Sequence, residues 1–530
     1  MFTGKLHPYQ VDGAEAILER KKLLVAYSMG TGKTVMTVAC LEEMFATGDI
    51  RAVLLLVPSS LKFQWAMSIA QFTDCETRQI TLKGVELTVP VPEVCTVING
   101  KPQQRAEQWR LVAAGHVDYT IASYGAVLTD WKQLVSMPAD ALVLDEATAI
   151  KNFSAQTSKR VKKLMPPVRI GLTGTPVENK PEELFSLMEW VDPSILGRWD
   201  LFDESFIRRS GFGGVAGYKN LDLLHRKMSR AMIRKTRSDP EVAKYLPAVQ
   251  ETTCTVTLDK TTRSFYRIIQ ADLKEALAEL AQRGEVFDPA AYYAGHQQAL
   301  GEKSVQGKVM ARLMALRLLL DHPQLLMDSA EAFHEGRGEG SKYVAELLDS
   351  SHALADLQAT PKLNELERLV ETMCGERAKV AVFTNYRRML PYLVARLEKY
   401  GELVTYHGQM SADEKAAAKA RFDSDPDCLL FLSTNAGGYG LDLPVCQYLV
   451  NFDLPDSKGT LDQRNTRHVR ASSQHSRVYV VNLVVEDSVE ERQQATLALR
   501  GRLASAIVDG SGGADVECDV ESLTENLWRT

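Results

Sequence analysis

The feature that most constrains this chain is a set of short, unbroken aliphatic runs separated by stretches of helical spacing. Leu23-Leu24-Val25-Ala26, Ala52-Val53-Leu54-Leu55-Leu56-Val57, Ala141-Leu142-Val143-Leu144 and Ile170-Gly171-Leu172 punctuate the first third. Lys379-Val380-Ala381-Val382-Phe383, Leu429-Leu430-Phe431-Leu432 and Tyr448-Leu449-Val450 punctuate the last third. A strand that is apolar at every position must be covered on both faces, as in a parallel sheet between two helix layers. The pattern occurs twice, so an α/β fold with two parallel-sheet lobes is expected.

Between the lobes, about Arg263 to Asp328 is rich in Ala, Leu, Gln, Glu and Arg and poor in β-branched residues, which predicts helices. The expected organisation is lobe one over 1–240 with a helical protrusion over about 193–238, a linker and helical insertion over 241–345, and lobe two over 346–487. The stretch around Gly336 and Gly340 reads as a loop. Ser488 followed three residues later by Glu491 matches a capping box and predicts a final brace helix over 488–510, ended by Gly510. The acidic segment 511–530 reads as frayed in preference to a docking peptide.

Composition excludes several classes. The 530 residues hold no apolar run near the ~20 residues a membrane helix needs. The first residues do not resemble a signal peptide. The eight cysteines form no C-x-x-C pair, so neither a zinc site nor a disulfide framework is expected. These features predict a soluble, intracellular chain. The net charge of −6 leaves room for nucleic acid, because a local basic groove suffices to meet phosphates. Two basic clusters stand out: Lys159 to Lys163 reads as a solvated helix face in preference to part of such a groove, and Arg226 to Arg237 reads equally as either.

One chemical motif stands out. The strand Leu23–Ala26 runs into Tyr27-Ser28-Met29-Gly30-Thr31-Gly32-Lys33-Thr34, and a helical pattern follows. Glycines there let backbone N–H groups cradle phosphates at a helix N-terminus. Met29, Gly30, Thr31 and Gly32 form the cradle, Lys33 reaches the β and γ phosphates, and Thr34 offers its hydroxyl to Mg²⁺. The strict pattern wants Gly where Tyr27 stands. The strand Ala141–Leu144 ends in Asp145-Glu146, which suits a magnesium-shell carboxylate beside a base for the attacking water. Gln10 has the amide needed to read an adenine edge.

Together these residues resemble the Swi/Snf-type DNA translocases of helicase superfamily two, with two RecA-like lobes. Leu6-His7-Pro8-Tyr9-Gln10 with Gly13 is similar to that family's Q motif. Val57 to Leu61 with Gln64-Trp65, Ala122-Ser123-Tyr124, Asp145 to Asn152, and Leu172 to Pro176 with Glu178 and Glu182-Glu183-Leu184 resemble motifs Ia to III. Val382 to Tyr386, Tyr406-His407-Gly408, Ser433 to Leu443 and Gln463 with Arg467 and Arg470 resemble motifs IV to VI.

The resemblance implies a DNA-stimulated ATPase using ATP and Mg²⁺ and moving along double-stranded DNA. Its catalytic set is Lys33, Asp145, Glu146, Gln463, Arg467 and Arg470, the two arginines acting as fingers. Gly440 and Asp442 join the nucleotide site, with Asp442 at the ribose. Ser60, Lys62, Ser123, Tyr124, Asn385, His407, Thr434 and Asn435 are expected on DNA. Thr148, Asn435 and the Ala471-Ser472-Ser473-Gln474 ending depart from the family pattern and put coupling strength in question. A strand-separating helicase and an ATP-gated DNA clamp stay open as alternatives. A monomer is expected, cytoplasmic on nucleoid or viral DNA, or nuclear in a eukaryote, with DNA-bound proteins as its cargo.

Overall fold

The computed structural model describes all residues except 83–84, 116, 210–214, 284–286, 288–300, 339, 351–359, 436–440, 471–472 and 511–530. Gly440, Ala471, Ser472 and the acidic segment 511–530 therefore lie outside the described residues.

Lobe one is built on a seven-stranded parallel sheet. Its strands are β1 (Lys22–Tyr27), β2 (Val53–Val57), β5 (Cys95–Val97), β6 (Tyr119–Ser123), β7 (Ala141–Asp145), β8 (Val168–Leu172) and β11 (Met232–Lys235), in the order β11-β1-β8-β7-β2-β6-β5. Two hairpins stand apart from it, β3 (Thr77–Leu82) with β4 (Val85–Pro90), and β9 (Ile207–Arg209) with β10 (Val215–Tyr218). Alternate residues of each central strand feed opposite cores. Leu54 and Leu56 of β2 join Leu24, Ala26, Leu142 and Leu144 on one face, while Val53, Leu55 and Val57 join Leu23, Val25, Ala141 and Val143 on the other. Each fully buried aliphatic side chain contributes about 1.5–3 kcal/mol.

Lobe two carries six parallel strands, β12 (Ala248–Val256), β13 (Val380–Thr384), β14 (Glu402–Tyr406), β15 (Cys428–Thr434), β16 (Tyr448–Asn451) and β17 (Arg477–Val485), in the order β12-β17-β16-β13-β15-β14. Val380 and Val382 face one core, Ala381 and Phe383 the other. Among the described residues no helix is long and apolar enough to cross a membrane.

Three expectations about organisation need correction. The segment 193–238 is not wholly helical: it contains the β9–β10 hairpin, and β11 returns to extend the main sheet beside β1. The segment 241–345 does not begin as a linker, because β12 pairs with β17 over nine residues and forms the edge of sheet two. Both strands are short of apolar residues. β12 is mostly exposed and β11 ends in Arg234-Lys235, so neither shows the aliphatic run that marks a buried strand. Helices Lys260–Gln282, Val305–Asp321 and Pro323–His334 then supply the expected insertion. The final helix spans Val489–Val508 and begins by a variant of the expected cap. Ser488 accepts from the Glu490 N–H, while Glu491 reaches back to the Asp487 N–H.

Candidate active site between the lobes

Gly30 and Gly32 sit at φ +82° and +76°, the left-handed region that favours glycine, and there the chain turns from β1 into the helix Lys33–Ala46. Tyr27, where a strict phosphate loop has glycine, ends β1 and donates its hydroxyl to the Tyr9 carbonyl at 3.2 Å. The helix Pro8–Arg20 can lie over this ring because residue 13 is glycine; a Cβ there would fall 2.8 Å from the Tyr27 hydroxyl. Gln10 donates to the Thr31 carbonyl at 2.9 Å and accepts from the His7 N–H at 2.8 Å. Its amide thus braces the phosphate loop, with one N–H and one lone pair left for a base edge. Lys33 is folded onto the loop, its ammonium donating to the Tyr27 carbonyl at 2.9 Å and the Ser28 carbonyl at 3.3 Å. Burial pushes that ammonium toward its neutral form, and the charges of Glu146 and Asp145 oppose the shift.

Asp145 and Glu146 close β7 and are buried. Trp65 donates its indole N–H to Asp145 Oδ2 at 2.8 Å, the Glu146 N–H binds Oδ1 at 3.0 Å, and the Tyr124 hydroxyl donates to the Asp145 carbonyl at 2.8 Å. Glu146 adopts φ +50°, unusual for a residue with a side chain, and its Oε2 is buried without a hydrogen-bond partner. Burial, reinforced by the Asp145 charge, pushes the Glu146 carboxyl up to about 7. Such a value suits a base working near neutrality. Thr34, half-buried at the start of its helix, and Asp145, at the end of β7, offer the oxygen ligands that magnesium takes. Among the described residues no three His, Cys, Asp or Glu gather as a protein-only metal cage.

Lobe two reaches this site. A methyl group at Gly30 would lie 2.7 Å from the Val469 carbonyl oxygen and 3.2 Å from an Arg470 guanidinium nitrogen. Thr466 Oγ1 contacts Met29 Sδ at 3.3 Å. Arg467 is buried, donates to the Leu441 carbonyl at 3.2 Å, and keeps an unpartnered buried Nε. Burial and the neighbouring Arg470 charge lower its guanidinium to about 10. Gln463 lines a cavity of about 20 Å³ with Thr434, Asn435, Arg464 and Arg467, room for about one water. Asp442, expected at a ribose, accepts through Oδ1 from Arg470 Nε at 2.5 Å, which aims the arginine. A second cross-lobe contact places Glu178, bonded to Lys151, against Gly459 at the start of the helix Lys458–Asn465.

The residues expected on DNA divide. Ser60 lies just after β2 and Ser123 ends the neighbouring β6, and both are at least partly exposed. His407 follows β14 and is half-exposed. Lys62 does not belong with them. It is buried, and its ammonium donates to the Ile98 carbonyl at 2.8 Å and Asn99 Oδ1 at 2.7 Å. Thr434 is likewise only 4% exposed, because it ends the interior strand β15. The Tyr124 hydroxyl is used on Asp145. The Asn385 amide donates to the Leu454 carbonyl at 2.8 Å, while its Oδ1 accepts from the Asn435 amide and from Arg464 NH2 at 2.6 Å, and Arg464 Nε donates to Asn435 Oδ1. The arginine thus places a cation beside Asn435. Trp65 as the Asp145 holder and Arg464 carry no mark in the sequence, since nothing in their spacing signals a partner far along the chain.

Comparison with known proteins gives the same architecture. A SNF2-related domain model matches residues 9–325, and a helicase conserved C-terminal domain model matches 361–472. YwqA of Bacillus subtilis, whose name assigns it provisionally to the ATP-dependent helicase/translocases, is 24% identical over 96% of this chain and 49% of its own length. The Danio rerio chromodomain-helicase-DNA-binding protein 8 is 25% identical over 96% of this chain and 19% of its own. This chain thus spans half or less of these relatives. The helicase domain of Pyrococcus furiosus Hef shares the fold at a TM-score of 0.53 and 17% identity, covering 94% of this chain and 99% of that one. The Sulfolobus solfataricus SWI2/SNF2 ATPase core in complex with dsDNA aligns over 100% of this chain and 98% of that one at a TM-score of 0.42 and 22% identity. With the SNF2-related domain model spanning well over half of its 530 residues, the chain belongs to the SNF2-related family of helicase-like proteins.

Proposed function

We propose that this chain is a DNA-stimulated ATPase that moves along double-stranded DNA without separating its strands, displacing or remodelling proteins in its path. The observation that carries the reading is the seat of Arg470 against the phosphate loop of the other lobe, with Arg467 beside it. The backbone of Met29 to Thr34 binds the nucleotide phosphates and Lys33 swings from its carbonyls to the γ phosphate. Glu146 takes the proton of the attacking water. Arg467 and Arg470 meet the charge that spreads over the transferring phosphoryl group, a contribution of roughly 10³–10⁵ in rate. Thr34 and Asp145 would hold Mg²⁺, which would neutralise phosphate charge. Because this set is divided between the two lobes, nucleotide favours closure and hydrolysis relaxes it.

The sheet topology supports a DNA path along one edge. In lobe one, β1 and β7 present nucleotide residues at their C-terminal ends, and β2, next to β7, and β6 beyond it present Ser60 and Ser123 at the same edge. In an open parallel sheet this edge is where ligands gather. Closure at the nucleotide therefore moves the DNA-facing edge of one lobe against the other. Contacts to backbone phosphates make binding sequence-tolerant and salt-sensitive. The test is ATP turnover with no nucleic acid, single-stranded DNA, duplex DNA and RNA. Duplex is expected to stimulate strongly, with Lys33→Ala or Glu146→Gln abolishing turnover. Stimulation by single strands or RNA alone would overturn the substrate assignment, and efficient fork unwinding would replace translocation with helicase action.

A further inference from the structure

The helix Val489–Val508 is anchored in both lobes. Its first turn belongs to lobe two, where Glu490 contacts the buried ammonium of Lys362. Its last turns belong to lobe one, where Leu503, Ala506, Ile507 and Val508 pack into the core with Leu221 and Leu224. The Ile507 carbonyl lies 2.9 Å from His225 Nδ1. The residue that caps the helix, Asp509, accepts from Arg234 Nε at 2.9 Å.

Arg234 stands on β11 and does more than pair with this carboxylate. Its NH1 donates to the Ala26 carbonyl at 2.7 Å and to the Gly174 carbonyl at 3.2 Å. Ala26 lies in β1 just ahead of the phosphate loop. Gly174 lies in the loop after β8, so close to the phosphate loop that a Cβ there would fall 2.9 Å from Met29 Cγ. One planar guanidinium therefore ties the helix end, the entry to the phosphate loop and the loop after β8. A lysine at 234 has no fork with which to hold three acceptors in fixed directions. The Arg234 charge is also among those acting on Lys33.

We propose that Arg234 and Asp509 are positioning residues that make the geometry of the ATP site depend on docking of the final helix. The inference rests on the ATPase reading above and adds a route by which anything that lifts this helix slows hydrolysis. Without the relay the phosphate-binding N–H groups and Lys33 are still present to meet nucleotide, so affinity changes little, but the backbone of 26–34 and 172–176 is held less firmly. The chemical step suffers, because a shift of about 1 Å in a reacting array costs on the order of 10²-fold in rate.

The experiment uses the full chain with Asp509→Ala, Arg234→Lys and the double variant. It measures kcat at saturating ATP, the Kd of a fluorescent ATP analogue, and hydrogen exchange across residues 26–34 and 172–176. Asp509→Ala is expected to lower kcat about tenfold, keep Kd within about threefold, and speed exchange in both segments. The double variant should be no slower than Arg234→Lys alone, since both break one relay. A wild-type kcat and wild-type exchange in Asp509→Ala, or additive losses in the double variant, would overturn the proposal. Equal loss of protection throughout lobe one would also overturn it, by showing a merely structural role. If the unmodified chain hydrolyses no ATP under any nucleic-acid condition, the ATPase reading falls, and the exchange comparison still decides the relay.

Discussion

Replacing Lys362 with Met tests how lobe two holds the insertion and the final helix together. The Lys362 side chain is 0% exposed and lies 2.6 Å from Asp321 and in contact with Glu490, whose side chains are 1% and 4% exposed. The Phe452 ring centroid is 4.7 Å away. Burial works against the ammonium, but the two carboxylates more than offset it and hold its pKa above the ordinary lysine value. Met conserves length and removes the charge, leaving two buried carboxylates face to face. Breaking such a buried pair costs about 3–5 kcal/mol.

A second route to the magnitude gives the same size. The variant can fold only by protonating one carboxyl. At pH 7 that costs about 1.4 kcal/mol for each of roughly three pH units above an ordinary carboxylate pKa, or about 4 kcal/mol. The sign follows from linkage. A carboxyl whose folded pKa is raised contributes stability that is present below its unfolded pKa and is lost as pH rises. The variant's deficit should therefore shrink by about 1.4 kcal/mol per unit between pH 7 and pH 5. Native-state hydrogen exchange on peptides from the helix Pro361–Gly375 reads it locally. Adding Glu490→Gln should restore most of the loss. A deficit below about 1 kcal/mol at pH 7, or one independent of pH, would refute the reasoning.

Other outcomes follow from the same coordinates. With the Glu146 carboxyl near 7, ATP turnover should rise with pH through that region as the base form accumulates, and Glu146→Gln should flatten the residual profile. Lys62→Met should leave DNA affinity and its salt slope unchanged, because the ammonium serves Ile98 and Asn99 and releases no counterions; a slope reduced by about one would return Lys62 to the DNA face. Gly13→Ala should lower stability by about 1–3 kcal/mol through overpacking against Tyr27 and Met36, read as a lower thermal midpoint.

What could be read from the chain was local. Unbroken apolar runs give β2, β7, β13 and β15 because each face of those strands must be covered. Gly30 and Gly32 mark the phosphate loop because side chains rarely adopt their backbone conformation. Ser488 marks the start of the final helix because its hydroxyl satisfies an N–H that the helix cannot. The polar edge strand β12 was not legible in this way. Its order comes from backbone bonds to β17, to which its side chains contribute little pattern.

By itself, then, the amino-acid order determined two α/β lobes, a phosphate loop and the carboxylates of β7, all through interactions within a few residues. Only the tertiary structure decided which side chains serve them. Trp65 holds Asp145 across 80 residues, Lys362 meets Glu490 across 128, and Arg234 meets Asp509 across 275. It also buried Lys62, expected on DNA, by giving its ammonium two acceptors. A hydrogen bond or ion pair depends on distance in space, and distance along the chain carries no information about it once the two lobes have closed.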